Sequence, residues 1–81
     1  MSNPKFLRVQ SLEAKWDTET KKVKYKERDI ILVNTDYIKI VYPINITMEN
    51  GDVFLGSTLD MGNQGIHTNI SVDTLHMLMR V

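Results

Sequence analysis

"INITMENGDVFLG", residues 44–56, is the stretch on which the reading of the fold turns. Asn-Gly is the preferred pair for a two-residue type I′ hairpin, because both loop positions there need positive φ. With Asn50-Gly51 as that loop, Glu49 faces Asp52, Met48 faces Val53, Thr47 faces Phe54 and Ile46 faces Leu55. This register gathers Ile46, Met48, Val53 and Leu55 on one face, and a slip of one residue would scatter them. A hairpin over 44–55 is therefore the expected anchor of a sheet. The carboxylates beside it, Glu49 and Asp52, invite a two-carboxylate reading. That chemistry needs the two groups in different environments, with one pKa raised by burial. Residues at a tight hairpin tip are solvated, so the pair reads as the shoulders of a turn.

Working outward toward the N-terminus, period-two alternation predicts strands. "YIKIVYPINITM" (37–48) places Ile38, Ile40 and Tyr42 on one face and Tyr37, Lys39 and Val41 on the other. Pro43 cannot donate to a ladder and marks an edge, a bulge or a bend. "DIILVN" (29–34) is a continuous apolar run, short enough to be a strand buried on both faces. Asn34-Thr35-Asp36 supplies turn chemistry after it. Phe6 to Val9 opens the first strand, continued at even spacing by Leu12, Ala14 and Trp16. "DTETKK" (17–22) turns the chain, and Val23 and Tyr25 alternate with Lys22, Lys24 and Lys26 on the return. Residues 10–28 thus form a basic hairpin with a thin apolar stripe.

Toward the C-terminus, "GSTLDMGNQGIHTN" (56–69) reads as a polar loop with room for a short strand at each end. "SVDTLHMLMRV" predicts a short helix over 71–80, the alternative being a final core strand. Ser71 is its N-cap, Asp73 sits in the first turn where the dipole favours it, and Arg80 lies near the end. Val72, Leu75, His76 and Met79 share a face, while Met77 and Leu78 make the helix apolar nearly all round. On so small a domain this predicts burial against a second chain, with Val72, Leu75, His76, Leu78 and Met79 as the contact.

Eighty-one residues make a single domain near the lower limit for one apolar core. The 42% apolar and 25% charged fractions are those of a folded globular chain. Without cysteine there is neither a disulfide framework nor a thiolate metal site. No secretory signal and no run of about 18 apolar residues occurs, so a cytoplasmic protein with no membrane association is expected. The net charge of zero conceals an asymmetry. Residues 1–28 hold eight of the ten Lys and Arg against four acids, a surplus of four positive charges that the remainder balances. Such a dipolar chain suits head-to-tail docking or an anionic partner.

Catalytic and metal signals are weak. His67 and His76 lie nine residues apart, which matches no ligand motif. "DMGNQG" (60–65) lacks the spaced acids of a calcium loop, and its glycines match no phosphate-binding pattern. No cofactor, metal or small-molecule substrate is expected. The basic hairpin offers more. Lys15, Lys22, Lys24, Lys26 and Arg28 can meet phosphates while Trp16 or Tyr25 stacks a base, as in small barrels that bind single strands. Against this stands a solvated edge strand whose lysines block aggregation.

The pieces "FLRV", "IILVN", "YIKIV", "ITMENGDVF" and "SVDTLHML" follow one another in an order that resembles the FlbD-like family of small bacterial flagellar-operon proteins, also called swarming-motility proteins. The resemblance covers about half the chain and rests on hydrophobic spacing with Asn34, Asn50-Gly51 and Ser71-Val72. Residues 10–28 stand where that family has a tight first turn, and 56–69 lengthen the connection to the helix. The resemblance implies an accessory protein without catalysis, built as an SH3-like curled sheet with a terminal helix. The expected fold is mainly β: a small SH3-like barrel or curled antiparallel sheet of about five to six strands with a short C-terminal helix. The expected function is a non-enzymatic binding or assembly module that forms a homo-oligomer or docks on a larger protein complex. The alternative is a nucleic-acid-binding small barrel acting through the hairpin at 15–28.

Overall fold

A computed structural model of the chain describes residues 5–79. They form five antiparallel strands in one sheet and a short C-terminal helix. β1 (Phe6–Asp17) and β2 (Lys22–Asn34) make one long hairpin, and a single 3-10 turn at Thr35–Tyr37 follows. β3 (Ile40–Thr47), β4 (Val53–Asp60) and β5 (Gly65–Thr68) complete the sheet in the order β2-β1-β5-β4-β3, and α1 spans Val72–Met79. The stretch 56–69 is thus mostly strand, with a short turn at 61–64 closed by the Met61 N–H on the Gln64 carbonyl, 2.9 Å.

The hairpin at 44–56 forms, but its register is one residue away from the expected one. Ile46 pairs with Phe54, Thr47 with Val53 and Asn45 with Leu55. The loop has three residues rather than two: Met48 N–H donates to the Asp52 carbonyl at 2.8 Å and Gly51 N–H to the Met48 carbonyl at 2.9 Å. Gly51 alone takes positive φ, +97°, whereas a type I′ turn would also require it of Asn50. The Asn50 side chain instead braces the turn, accepting from Asp52 N–H at 2.9 Å. Because strand side chains alternate, this slip separates the expected apolar set. Ile46 is buried, while Val53 and Leu55 stand exposed on the opposite face.

β1 and β2 pair in register from Phe6↔Asn34 to Gln10↔Ile30, and then Leu12 pairs with Glu27. β2 spends one more residue than β1 across that step, so Arg28–Asp29 is a β-bulge. Its carbonyls are met by side chains of β1: Gln10 Nε2 donates to Arg28 O at 2.9 Å and Ser11 Oγ to Asp29 O at 2.6 Å. The bulge inverts the sidedness of β2. Below it Ile31 and Val33 share a face with Leu7 and Val9; above it Lys22, Lys24 and Lys26 take that face.

Two packed regions result, one on each face of the sheet. Leu7, Val9, Val33, Leu59 and Leu75 form the main core beneath α1, with Ile31, Val41, Ile66 and Met79 around it. Ser57, on the same face, donates to the Ile70 carbonyl at 2.6 Å and ties the helix approach to β4. The other face holds Leu12 and Ile46, which are buried but lie outside that cluster. It folds over where the two sheet edges meet: Tyr25 of β2 bridges to Met48, and Glu49 N–H donates to the Tyr25 carbonyl at 3.0 Å. One bridge is not a ladder, so the sheet curls without closing. Gly56 sits under this fold, where a Cβ would collide with Ile46 Cδ1 and the Thr68 carbonyl oxygen.

The expectation that 29–34 is buried on both faces is corrected. Val33 and Ile31 pack on the main core, but Ile30 and Leu32 are 53% and 66% exposed on the other face. β2 is an edge strand and, among the described residues, nothing lies across that face at its base.

Candidate binding surfaces

Three surfaces carry the residues that sequence reasoning singles out or overlooks: the helix, the projecting part of the β1–β2 hairpin, and the base of that hairpin.

The helix starts at its expected cap. Ser71 Oγ accepts from Thr74 N–H at 3.2 Å and donates to or accepts from the Thr74 hydroxyl at 3.0 Å. The assignment of Leu75 to a contact with another chain is corrected, because Leu75 is 0% exposed and fills this chain's own core. Met79 likewise packs against that core, and Val72 is half-buried. Of the expected contact residues His76 and Leu78 remain open, joined by Met77. Arg80 lies outside the described residues.

The hairpin projects from the body, because β5 pairs with β1 only at Ser11 and Leu12. From Glu13 to Lys26 it is a two-stranded ribbon, and the described chain measures 52 Å along its longest axis. Lys15, Lys22, Lys24 and Lys26 do share one face, as alternation demands. That face also carries Glu13 and Asp17. Lys24 Nζ lies 3.3 Å from Asp17, Lys26 Nζ 3.3 Å from Glu13, and Arg28 3.9 Å from Glu13. Lys15 and Lys22 are exposed. The aromatic partners are on the opposite face and differ in availability. Trp16 is 59% exposed, but the Tyr25 ring meets His67 edge-on with centroids 5.5 Å apart, so the expectation that Tyr25 is a free stacking platform is corrected. A cleft of about 330 Å³ beside Trp16 is lined by Lys15, Lys24, Asp17, Glu19 and Glu49. Three carboxylates against two ammonium groups make it a poor seat for a phosphate.

At the ribbon's tip, the backbone N–H of Glu19 reaches Asp17 Oδ1 at 3.0 Å. That bond, with smaller help from the Thr20 hydroxyl and Lys24, holds the Asp17 carboxyl below the usual carboxylate range. Glu49 and Asp52 are both exposed at the other hairpin tip, where Asn50 Nδ2 donates to Asp52 Oδ2 at 3.1 Å. They occupy similar solvated positions, which is the arrangement of a turn.

The two histidines part company. His76 is exposed on α1, while His67 Nδ1 lies 2.8 Å from Thr58 Oγ1 in the second packed region. Among the described residues no group of three or more His, Cys, Asp and Glu is placed to hold a metal ion. No helix there is long and apolar enough to cross a membrane.

The third surface is the one sequence reasoning misses. Phe6, Ile30 and Leu32 lie on one face of the β1–β2 base, and Phe6 is 59% exposed. The signal was present as an apolar run without alternation, which implies cover on both faces but not the source of the cover. No family model matches this chain, and no curated protein or solved structure matches it.

Proposed function

We propose that the chain is a non-catalytic binding or assembly module: an SH3-like curled sheet, cytoplasmic, that forms a homo-oligomer or docks on a larger protein complex. The observation that carries this reading is the open apolar face of Phe6, Ile30 and Leu32, three large side chains each more than half exposed. Arg8 and Gln10 stand opposite Leu32 and Ile30 on this face, yet three large apolar side chains left open at the free edge of so small a sheet favour a surface that meets a partner. The exposed Met77 and Leu78 on α1 add a second apolar spot. The resemblance to FlbD-like accessory proteins agrees with a role of this kind, since its matching pieces fall on β1, the end of β2, the β3–β4 hairpin and α1.

The test is cross-linking in cells expressing the chain, read by mass, alongside light scattering of the purified protein. A discrete species heavier than one chain in either measurement is expected. A single-chain mass in both overturns the reading.

A second reading rests on the ribbon, whose width suits a nucleic-acid groove and whose lysines share a face. Lys15, Lys22 and Trp16 would carry it, with Lys24, Lys26 and Arg28 drawn from their ion pairs. Binding to labelled single or double strands should then weaken as salt rises, with a slope set by the phosphates contacted. No binding at low salt removes it.

A further inference from the structure

We infer that the partner is a second copy of this chain, joined edge to edge through β2 at Ile30–Val33 about a two-fold axis, which continues the sheet and its open face across both copies. The inference rests on the assembly-module reading above and specifies its surface.

The edges of the sheet are guarded almost everywhere else. β3, one edge, carries Pro43 and Asn45 in its middle. The projecting part of β2, the other edge, carries Lys22, Lys24, Lys26 and Arg28, and its Tyr25 carbonyl is already taken by Glu49 N–H. Lysines, prolines and coverage are the devices that keep strand edges from pairing. Ile30–Val33 has none of them, and among the described residues no strand lies beside it.

The backbone groups point the right way. Thr35 N–H donates to the Lys5 carbonyl at 2.7 Å, which makes that opposed pair a hydrogen-bonded one. Antiparallel ladders alternate, so Val33 and Ile31 turn their groups toward β1, while Ile30 and Leu32 turn theirs outward. Placing the two-fold axis at Ile31 sets each outward Ile30 against Leu32 of the second copy, giving four N–H···O bonds. The same register makes two Ile–Leu cross-strand pairs on the open face, with Gln10 and Arg8 of β1 behind them. Shifting the axis to Leu32 would set Ile30 against Asn34 and lose an apolar pair.

The contact is confined to the strand edge Ile30–Val33 and the facing flanks of Ile30 and Leu32, so it falls below the roughly 1,200 Å² at which specific interfaces begin. The dimer is accordingly one that dissociates on dilution.

The experiment is sedimentation of the purified chain from micromolar to millimolar concentration, with amide hydrogen exchange at the upper end. Expected are a two-chain mass at high concentration, protection of the outward Ile30 and Leu32 amides that fades on dilution, and a loss of affinity of roughly tenfold or more in Leu32→Lys. Leu32 is exposed, so this variant keeps its fold, checked by an unchanged circular dichroism spectrum. Self-association that survives Leu32→Lys with both amides unprotected overturns the edge pairing and leaves the assembly module standing. A single-chain mass throughout also overturns it, and cross-linking to a heavier species in cells then shows whether the module reading survives.

Discussion

The centre of β4 and the ribbon of β1–β2 are built from the same kind of antiparallel pairing, yet they differ in nearly everything else. Gly56, Ser57, Thr58 and Leu59 are four consecutive buried residues, covered by α1 on one face and by the curl of the sheet on the other. From Glu13 to Lys26 no residue is buried, although Trp16, the largest side chain in the protein, is among them. Size and hydrophobicity do not make a core; a third layer does. An isolated two-stranded hairpin is marginal in water. This ribbon keeps its form through cross-strand ion pairs and one bridge, at Tyr25, to the opposite edge.

The contrast can be broken most sharply at Leu75. Leu75→Ala empties a fully buried site between helix and sheet and is expected to cost about 2–5 kcal/mol, read as a lower midpoint in denaturant at unchanged slope. Gly56→Ala should follow at about 2–3 kcal/mol, since the Thr68 backbone must move to admit the new methyl. Ser71→Ala removes the cap of α1 and should cost about 1 kcal/mol. Trp16→Ala removes far more atoms than any of these, yet should change stability by only about 0.5 kcal/mol or less. A Trp16→Ala loss as large as that of Leu75→Ala would mean that the ribbon is packed against something in solution, and the comparison would fail.

The smallest effect lies in acid. Asp17 has its pKa lowered on folding, so its stabilisation is present above the unfolded value near 3.9 and fades as pH falls through the folded value. Amide shifts at Thr18–Lys21 should therefore change in acid while those of Ser57–Leu59 hold. Asp17→Asn should abolish that step.

These differences also mark how far the sequence can be read. Alternation identifies the strands, and the Ser71 cap locates the helix, because both are set by neighbours a few residues away. The Asn-Gly signal places the β3–β4 turn but misplaces its register by one residue. Two-residue and three-residue loops both want glycine at positive φ, and the choice between them is made at a distance, where Ile46 lies over Gly56 and Glu49 reaches Tyr25. The apolar helix suggests a contact with another chain, yet its most buried member, Leu75, serves its own core, because the sheet offers a face of Leu7, Val9 and Leu59 that nothing local reveals. The open face at Ile30 and Leu32 is illegible for the same reason: an apolar run states that cover is wanted and is silent on who provides it.

The bulge at Arg28–Asp29 has a consequence for how the chain can vary. Losing one residue there would leave Ser11 facing a single residue, with Gln10↔Ile30 and Glu13↔Lys26 both kept and the lysines of β2 on the face they now hold. Removing a matched pair of residues from each strand near the 18–21 turn would leave every orientation below it untouched. The length of the ribbon is thus free to drift in steps of two without disturbing the body that carries it, and the odd residue at its root sets the bend and twist with which the ribbon leaves that body rather than the faces its side chains take.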